Sequence, residues 1–305
     1  MKIATLLTVF NRRQKTLDCL HHLFTAVDTY NGSKEPANKI EATVFMTDDG
    51  CTDGTAEAVS QAFGDRELYI VKGTGSLYWA GGMRKAWQTA LDTATKWDYF
   101  LLLNDDTNVF ENVFEQLFEA DDYGFRATGR HGLSSGITCQ PGRPDEITYG
   151  GLNFVNRTKG RQQLLQPSGV PQRIDLTHAN ILMVHSTVAE TIGIFHKGFR
   201  HSCADNDYSM TAHRHQLPAY STSSVCGECE YDHDTNKSEI ERLITMTLAE
   251  RRRYINSPTH SDNDYLLFVR RNMPLRYPVA FLLRKMRLYC PSLYQRITHL
   301  RGVYK

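Results

Sequence analysis

Tyr99-Phe100-Leu101-Leu102-Leu103-Asn104-Asp105-Asp106-Thr107 is an unbroken apolar run that stops on two adjacent carboxylates. Five apolar or aromatic residues bounded by polar ones read as a strand buried on both faces, and open α/β sheets place ligands beyond the carboxyl ends of such strands. Neighbouring carboxylates repel each other. Hard oxygen donors of this kind favour magnesium or manganese, which would relieve the repulsion and hold a diphosphate. Taken alone, the stretch also suits an acidic strand-to-helix turn in which Asp106 or Thr107 caps a helix.

Two further segments end in the same way. Residues 40–46 run into Thr47-Asp48-Asp49-Gly50-Cys51-Thr52-Asp53-Gly54-Thr55 and a helix-like stretch, and residues 3–10 end on Asn11-Arg12-Arg13. Three strands in parallel order would bring Asn11, Arg12, Asp48, Asp49, Asp105 and Asp106 to one rim of a sheet. Carboxylates there can accept hydrogen bonds from base and ribose, while Arg12 can face a phosphate or the base. After a short strand at residues 68–71, Lys72-Gly73-Thr74-Gly75-Ser76-Leu77-Tyr78-Trp79-Ala80-Gly81-Gly82 reads as a glycine-rich loop leading into a helix from about residue 83 to 95. Glycines let a backbone approach a ligand, and Arg84 and Lys85 at a helix start favour a diphosphate. The alternative is a tight turn with Trp79 packed in the core.

In this order TVFNR, DDGCTDGT, GSLYWAGGMRKA and LLLNDDT resemble glycosyltransferase family 2, the inverting GT-A-fold enzymes that include bacterial rhamnosyltransferases; the resemblance spans roughly residues 1–235. It implies a UDP- or dTDP-linked sugar donor, a divalent metal, manganese or magnesium, on a DxD-type motif, and an aspartate base for the acceptor hydroxyl. Carried over, Asp48 takes the base-contacting position, with Thr8, Asn11 and Arg12 beside it. Asp106 takes the last, metal-binding acid of DxD, Asn104 its first position, and Asp105 shares the metal work. The loop holding Trp79, Gly81 and Gly82 borders the donor, although Ser76 and Tyr78 depart from the usual pattern.

A second chemical centre is His201-Ser202-Cys203-Ala204-Asp205-Asn206-Asp207-Tyr208, opening a helix to about His215. Both acids fall in its first turn, where the helix dipole favours anions. By resemblance Asp205 is the catalytic base and Asp207 a second acid that organises the acceptor site; Ala204 stands where the family often has Glu. His178 and Asn180 have the hydrogen-bonding chemistry a sugar hydroxyl needs. His233, in Tyr231-Asp232-His233-Asp234, sits where several relatives supply a metal-ligating histidine. Cys226 and Cys229 have the spacing of a zinc or redox pair, but no second such pair exists, and ordinary reduced thiols are the simpler reading.

Length and composition fit one enzyme-sized unit with an appendage: 305 residues, 41% hydrophobic and 23% charged. We expect an α/β chain of the GT-A class, with a Rossmann-like, mostly parallel sheet flanked by helices. Residues 1–120 form its nucleotide-sugar half, 121–235 its acceptor and catalytic half, and 236–305 a basic helical C-terminal extension. The absence of a leader pattern and of a spanning apolar run, with seven scattered cysteines, leads to an expected cytoplasmic location. From residue 265 onward there are nine Lys or Arg and no acid, so the remainder carries a formal −8. Apolar residues interleave with these bases, which suits an anionic membrane surface at the inner face of the membrane, or a tail folded back on the acidic body or on a second subunit. A nucleic-acid partner is not expected. The function these features favour is transfer of a sugar to a glycan or lipid-linked glycan acceptor. A metal-dependent nucleotidyltransferase and a non-catalytic sugar-nucleotide-binding partner are the alternatives.

Overall fold

The computed structural model describes residues 1–231, 236–260 and 262–300, and of residues 236–238 and 298–300 only the backbone. The amino-terminal part alternates β1 (Lys2–Val9), α1 (Arg13–Gly32), β2 (Glu41–Asp48), α2 (Thr55–Ala62), β3 (Leu68–Lys72), α3 (Tyr78–Leu91) and β4 (Tyr99–Leu103). After β5 (Asn108–Val109) and α4 (Val113–Thr128) come β6 (Leu133–Gln140), β7 (Arg143–Tyr149), β8 (Gly151–Asn156), β9 (Arg161–Leu164), β10 (Gln172–Arg173), β11 (Leu176–Thr177) and β12 (Ile181–His185). Then follow α5 (Ser186–Ile192), α6 (Ala204–Arg214) and β13 (Ala219–Glu228), and finally α7 (Asn236–Thr245), α8 (Leu248–Asn256), α9 (Asp262–Asn272), α10 (Tyr277–Tyr289) and α11 (Pro291–Leu300).

The main sheet runs β10-β13-β6-β12-β4-β1-β2-β3, with β5 on β13 and β7 on β6; β11-β8-β9 form a small second sheet. Neighbours among β3, β2, β1 and β4 are parallel, as are β13 and β6, whereas β12 lies antiparallel between β4 and β6. This is the expected α/β class. Strand parity sets the core. On β1 and β4, Ile3, Leu7, Tyr99, Leu101 and Leu103 pack into one buried cluster with α1 and α4, while Ala4, Leu6, Phe100 and Leu102 pack into another with α3 and α6. Because successive side chains on a strand point to opposite faces, a strand covered on both must be apolar throughout, and β4 is. Truncating one such side chain, as in Leu102→Ala, costs about 2–5 kcal/mol.

Part of the C-terminal segment packs on the body. Leu266, Phe268 and Val269 of α9, Met273 just after it and Ala280 of α10 are buried in the same cluster as α3 and α6, while Ile240, Leu243, Ile255 and Leu288 of α7, α8 and α10 form a small cluster of their own. Part of the basic excess is turned inward. Arg271 pairs with Asp207, Arg287 with Asp262 and Glu239, and Arg284 donates to Asn256 and Asn263. Among the described residues, no helix is long and apolar enough to cross a membrane.

Candidate active site

Parallel register brings three chain exits to one edge: Val9 lies opposite Asp48 and Leu6 opposite Leu102, so Asn11, Asp48 and Asn104-Asp105-Asp106 leave the sheet together. Each exit is built differently. Asn11 adopts a positive φ of 52°, and its Oδ1 accepts from Thr52 N at 2.7 Å, which fixes the loop after β2. Asp48 folds that loop into an Asx turn, Oδ1 accepting from Gly50 N at 3.1 Å and Cys51 N at 2.7 Å.

Asp105 is buried, with 6% exposure, and its Oδ2 has no hydrogen-bond partner. Burial pushes its carboxyl up to about 7, against the pull of Arg12. Arg12 bridges the acids, Nη1 lying 3.5 Å from Asp105 Oδ1 and 2.5 Å from Asp106 Oδ2. A buried carboxylate oxygen without a donor, beside a second carboxylate, fits a divalent cation. Among the described residues, no group of three or more His, Cys, Asp or Glu side chains gathers in a way that could hold a metal by itself. His233 lies outside the described residues.

Trp79 Nε1 donates to Asn104 Oδ1 at 2.7 Å, locking the residue before the acids, and the Trp79 ring packs on Phe195. Asn104 N in turn donates to Asn180 O at 3.1 Å. The preceding residue, Ala179, donates its N–H to Asp205 Oδ2 at 3.0 Å. Two consecutive residues therefore tie the acid pair of β4 to the carboxylate on the first turn of α6. Asp205 Oδ1 accepts from Asn206 N at 2.8 Å, and burial raises its carboxyl to about 6 in spite of these donors.

Several residues expected at ligands are occupied elsewhere. Asp49 is buried and accepts from four backbone N–H groups, those of Thr74 and Gly75 on Oδ1 and of Leu77 and Tyr78 on Oδ2, at 2.8–3.1 Å. It holds the 73–78 loop. The helix expected from residue 83 starts at Tyr78, so Gly81 and Gly82 are helical and buried. A Cβ on Gly82 would come 1.9 Å from Thr8 Oγ1, so this glycine sets the close approach of α3 to β1, whereas a Cβ on Gly81 would come nearest to Leu77 at the start of the same helix, at 3.2 Å. Arg84, a turn further in, donates to Phe199 O at 2.7 Å and His196 O at 3.3 Å, and desolvation lowers its pKa. It ties α3 to the 193–199 loop.

Asp207 is buried and its Oδ1 accepts from Arg271 Nε at 2.8 Å and Asn272 Nδ2 at 2.7 Å. It anchors α9 to α6. Asn180 is buried and directs Nδ2 to Cys229 Sγ at 3.4 Å, towards the acid pair; His178 Nδ1 accepts from Gly150 N at 3.3 Å, on the β7–β8 side. Cys226 and Cys229 do not converge. Cys226 donates to Ile137 O, while Cys229 approaches Asp106 Oδ1 at 3.9 Å with its thiol pushed up to about 12 by burial.

Three contributors escaped the sequence reading. Cys19 of α1 donates to Asn104 O at 3.3 Å, Cys229 covers Asp106, and Asp264 of α9 accepts from the backbone of Arg200, His201 and Ser202 at 2.7–3.3 Å, shaping the entry to α6. The even spacing of Asp262 and Asp264 at a helix start was the only signal for the last. Because Asp49 leaves four loop N–H groups without acceptors when removed, Asp49→Ala should lower stability by about 2–4 kcal/mol. Urea unfolding within roughly 0.5 kcal/mol of the parent would show that the loop does not depend on it.

No protein-family model and no curated protein matches the chain. Among solved structures it is similar to Staphylococcus aureus TarS. TarS 1-349 in complex with UDP aligns at a TM-score of 0.54 with 12% identity, covering 99% of this chain and 92% of that one. The complex with UDP-GlcNAc gives 0.52 and 13%, covering 94% and 82%. A further structure of TarS 1-349 gives 0.50 and 14%, covering 95% and 73%. At such identities the likeness establishes a shared fold.

Proposed function

We propose that the chain is an inverting glycosyltransferase of the family 2 type, moving one sugar from a nucleotide-diphosphate donor to a hydroxyl of a glycan acceptor, in the assembly of a bacterial surface polysaccharide. The observation that carries this reading is the bridge through Ala179 and Asn180, which couples an acid pair suited to a diphosphate and its cation with a partly buried carboxylate of raised pKa. The likeness in fold to a protein solved with UDP and with UDP-GlcNAc agrees with it.

In this reading Asp48 and Asn11 shape the wall for the base, and Trp79 and Asn104 brace the acids. A manganese or magnesium ion held by Asp105 and Asp106 would neutralise charge on the departing nucleotide diphosphate. Arg12, which bridges the two acids, would turn to the same phosphates. Asp205 takes the proton of the acceptor hydroxyl, which attacks the anomeric carbon opposite the leaving group and inverts it. Its raised pKa makes it a stronger base than an exposed aspartate. Ala204 is buried, so no side chain from the preceding position enters the site.

A base must be ionised to act. A carboxyl raised to about 6 is silenced below that pH, so kcat/KM should rise through pH 6 and level off above it. An acid limb centred near 4 would rule out the desolvated carboxylate as base. Incubation with a panel of nucleotide sugars and manganese, scoring nucleotide diphosphate release with and without acceptor, tests the assignment as a whole. Release of inorganic diphosphate from nucleoside triphosphates would instead indicate a nucleotidyltransferase, and binding without turnover a non-catalytic partner.

A further inference from the structure

A cleft of about 1510 Å³ lies between the tip of the β8–β9 hairpin and helices α9 and α10, away from the acid pair. Its walls combine two chemistries. From the hairpin come Arg157, Lys159 and Arg161, and from the α9–α10 junction Arg276; none of the four has a carboxylate partner among the described residues. The single acid in the lining, Asp262, is already engaged by Arg287 at 2.8 Å. The opposite wall is aliphatic, with Leu275, Val279 and Leu283.

The cationic end is built. Gly160 has φ +62°, and a Cβ there would lie 1.2 Å from Arg276 Nη1, so the guanidinium occupies the space that a side chain at the hairpin tip would fill. That same Nη1 is buried with no hydrogen-bond partner. A desolvated guanidinium nitrogen without an acceptor is costly unless an anion completes it, and guanidinium groups match phosphate oxygens in geometry. The aliphatic end opens outward. Leu275 is 96% exposed and Val279 49%, and along α10 the exposure continues to Leu282 at 60%.

We propose that this cleft binds a phosphate-bearing amphiphile, its phosphate or diphosphate head among Arg157, Lys159, Arg161 and Arg276 and its aliphatic chain along Leu275, Val279 and Leu283. A free anion would make no use of the apolar wall, and a plain hydrocarbon would leave four cations facing it uncompensated. Asn272, which also lines the cleft, donates to Asp207 two residues from Asp205. An amphiphile carrying a glycan would therefore sit on the α6 side of the candidate site; this last use rests on the glycosyl-transfer reading, whereas the binding does not.

The test is titration of the full chain, with UDP saturating the donor site, by farnesyl diphosphate, farnesol and inorganic diphosphate. Farnesyl diphosphate should bind at least tenfold more tightly than either part alone. Lys159→Glu with Arg161→Glu, both on the exposed hairpin, should weaken it at least tenfold with UDP affinity unchanged, and Val279→Asp should reduce it to the level of inorganic diphosphate. Equal affinity for inorganic diphosphate would make this a free-anion site, and equal affinity for farnesol a plain apolar groove. Binding seen only when UDP is left out would return the ligand to the donor site, and binding to anionic vesicles without binding to monomeric farnesyl diphosphate would make the region a bilayer-docking face. Each of these overturns the proposal, as does an unchanged affinity in the hairpin variant. None depends on sugar transfer, so a failed transfer assay and a failed cleft are told apart.

Discussion

Asp205→Asn should lose turnover by roughly a hundredfold or more while binding UDP as the parent does, the pattern expected when a general base is removed and the ligand site is spared. The substitution keeps the shape of the side chain and an oxygen that can accept from Ala179 N, so the bridge from Asn180 to the acid pair can survive. Asp207→Asn separates chemistry from architecture. Asp207 holds the Arg271 guanidinium and the Asn272 amide, and leaving a partly buried arginine without its carboxylate typically costs about 3–5 kcal/mol. That variant should therefore melt earlier without a selective loss of kcat. Near-parent transfer by Asp205→Asn, together with a stable but inactive Asp207→Asn, would move the base to Asp207.

Asp106→Ala should abolish the manganese-dependent part of UDP affinity. Asp105 and Asp106 are the only described carboxylates at the end of β4, and loss of a direct ligand should cost at least the roughly 10–100-fold that even outer-shell changes produce in metal sites. Arg12 then loses its closest acid contact while keeping the one to Asp105, so the metal-independent affinity should hold or rise slightly as the guanidinium turns to phosphate. Asp48→Ala should behave in the opposite sense, weakening UDP with and without metal. Calorimetry of UDP with and without manganese reads both; an unchanged manganese dependence in Asp106→Ala removes the metal assignment.

The strand ends were legible because they depend on local pattern. An apolar run of five residues closed by Asn104-Asp105-Asp106 has few foldings other than a central strand with acids at its rim, and parity along residues 3–7 and 99–103 then fixes which side chains fill which face. The first turn of α6 was legible for the same reason, a helix start marked by two acids. Composition also identified a basic C-terminal segment.

What sequence could not decide is which of several like residues faces a ligand and which is spent on the protein itself. Asp48 and Asp49 are neighbours of one type, yet one carboxylate turns inward to hold four loop N–H groups because the 73–78 loop, 24 to 29 positions away, brings them there. Asp205 and Asp207 are parted by long-range contacts: Ala179 supplies a backbone donor to the first, and α9, some 64 residues downstream, supplies Arg271 and Asn272 to the second. Gly82 also lets α3 lie on Thr8, and Arg84 donates to the carbonyl of Phe199, contacts that nothing nearby in the chain announces. Backbone donors and packing surfaces from distant segments claim polar groups by proximity, and proximity across long loops is set by tertiary packing, which carries no local signal in the chain.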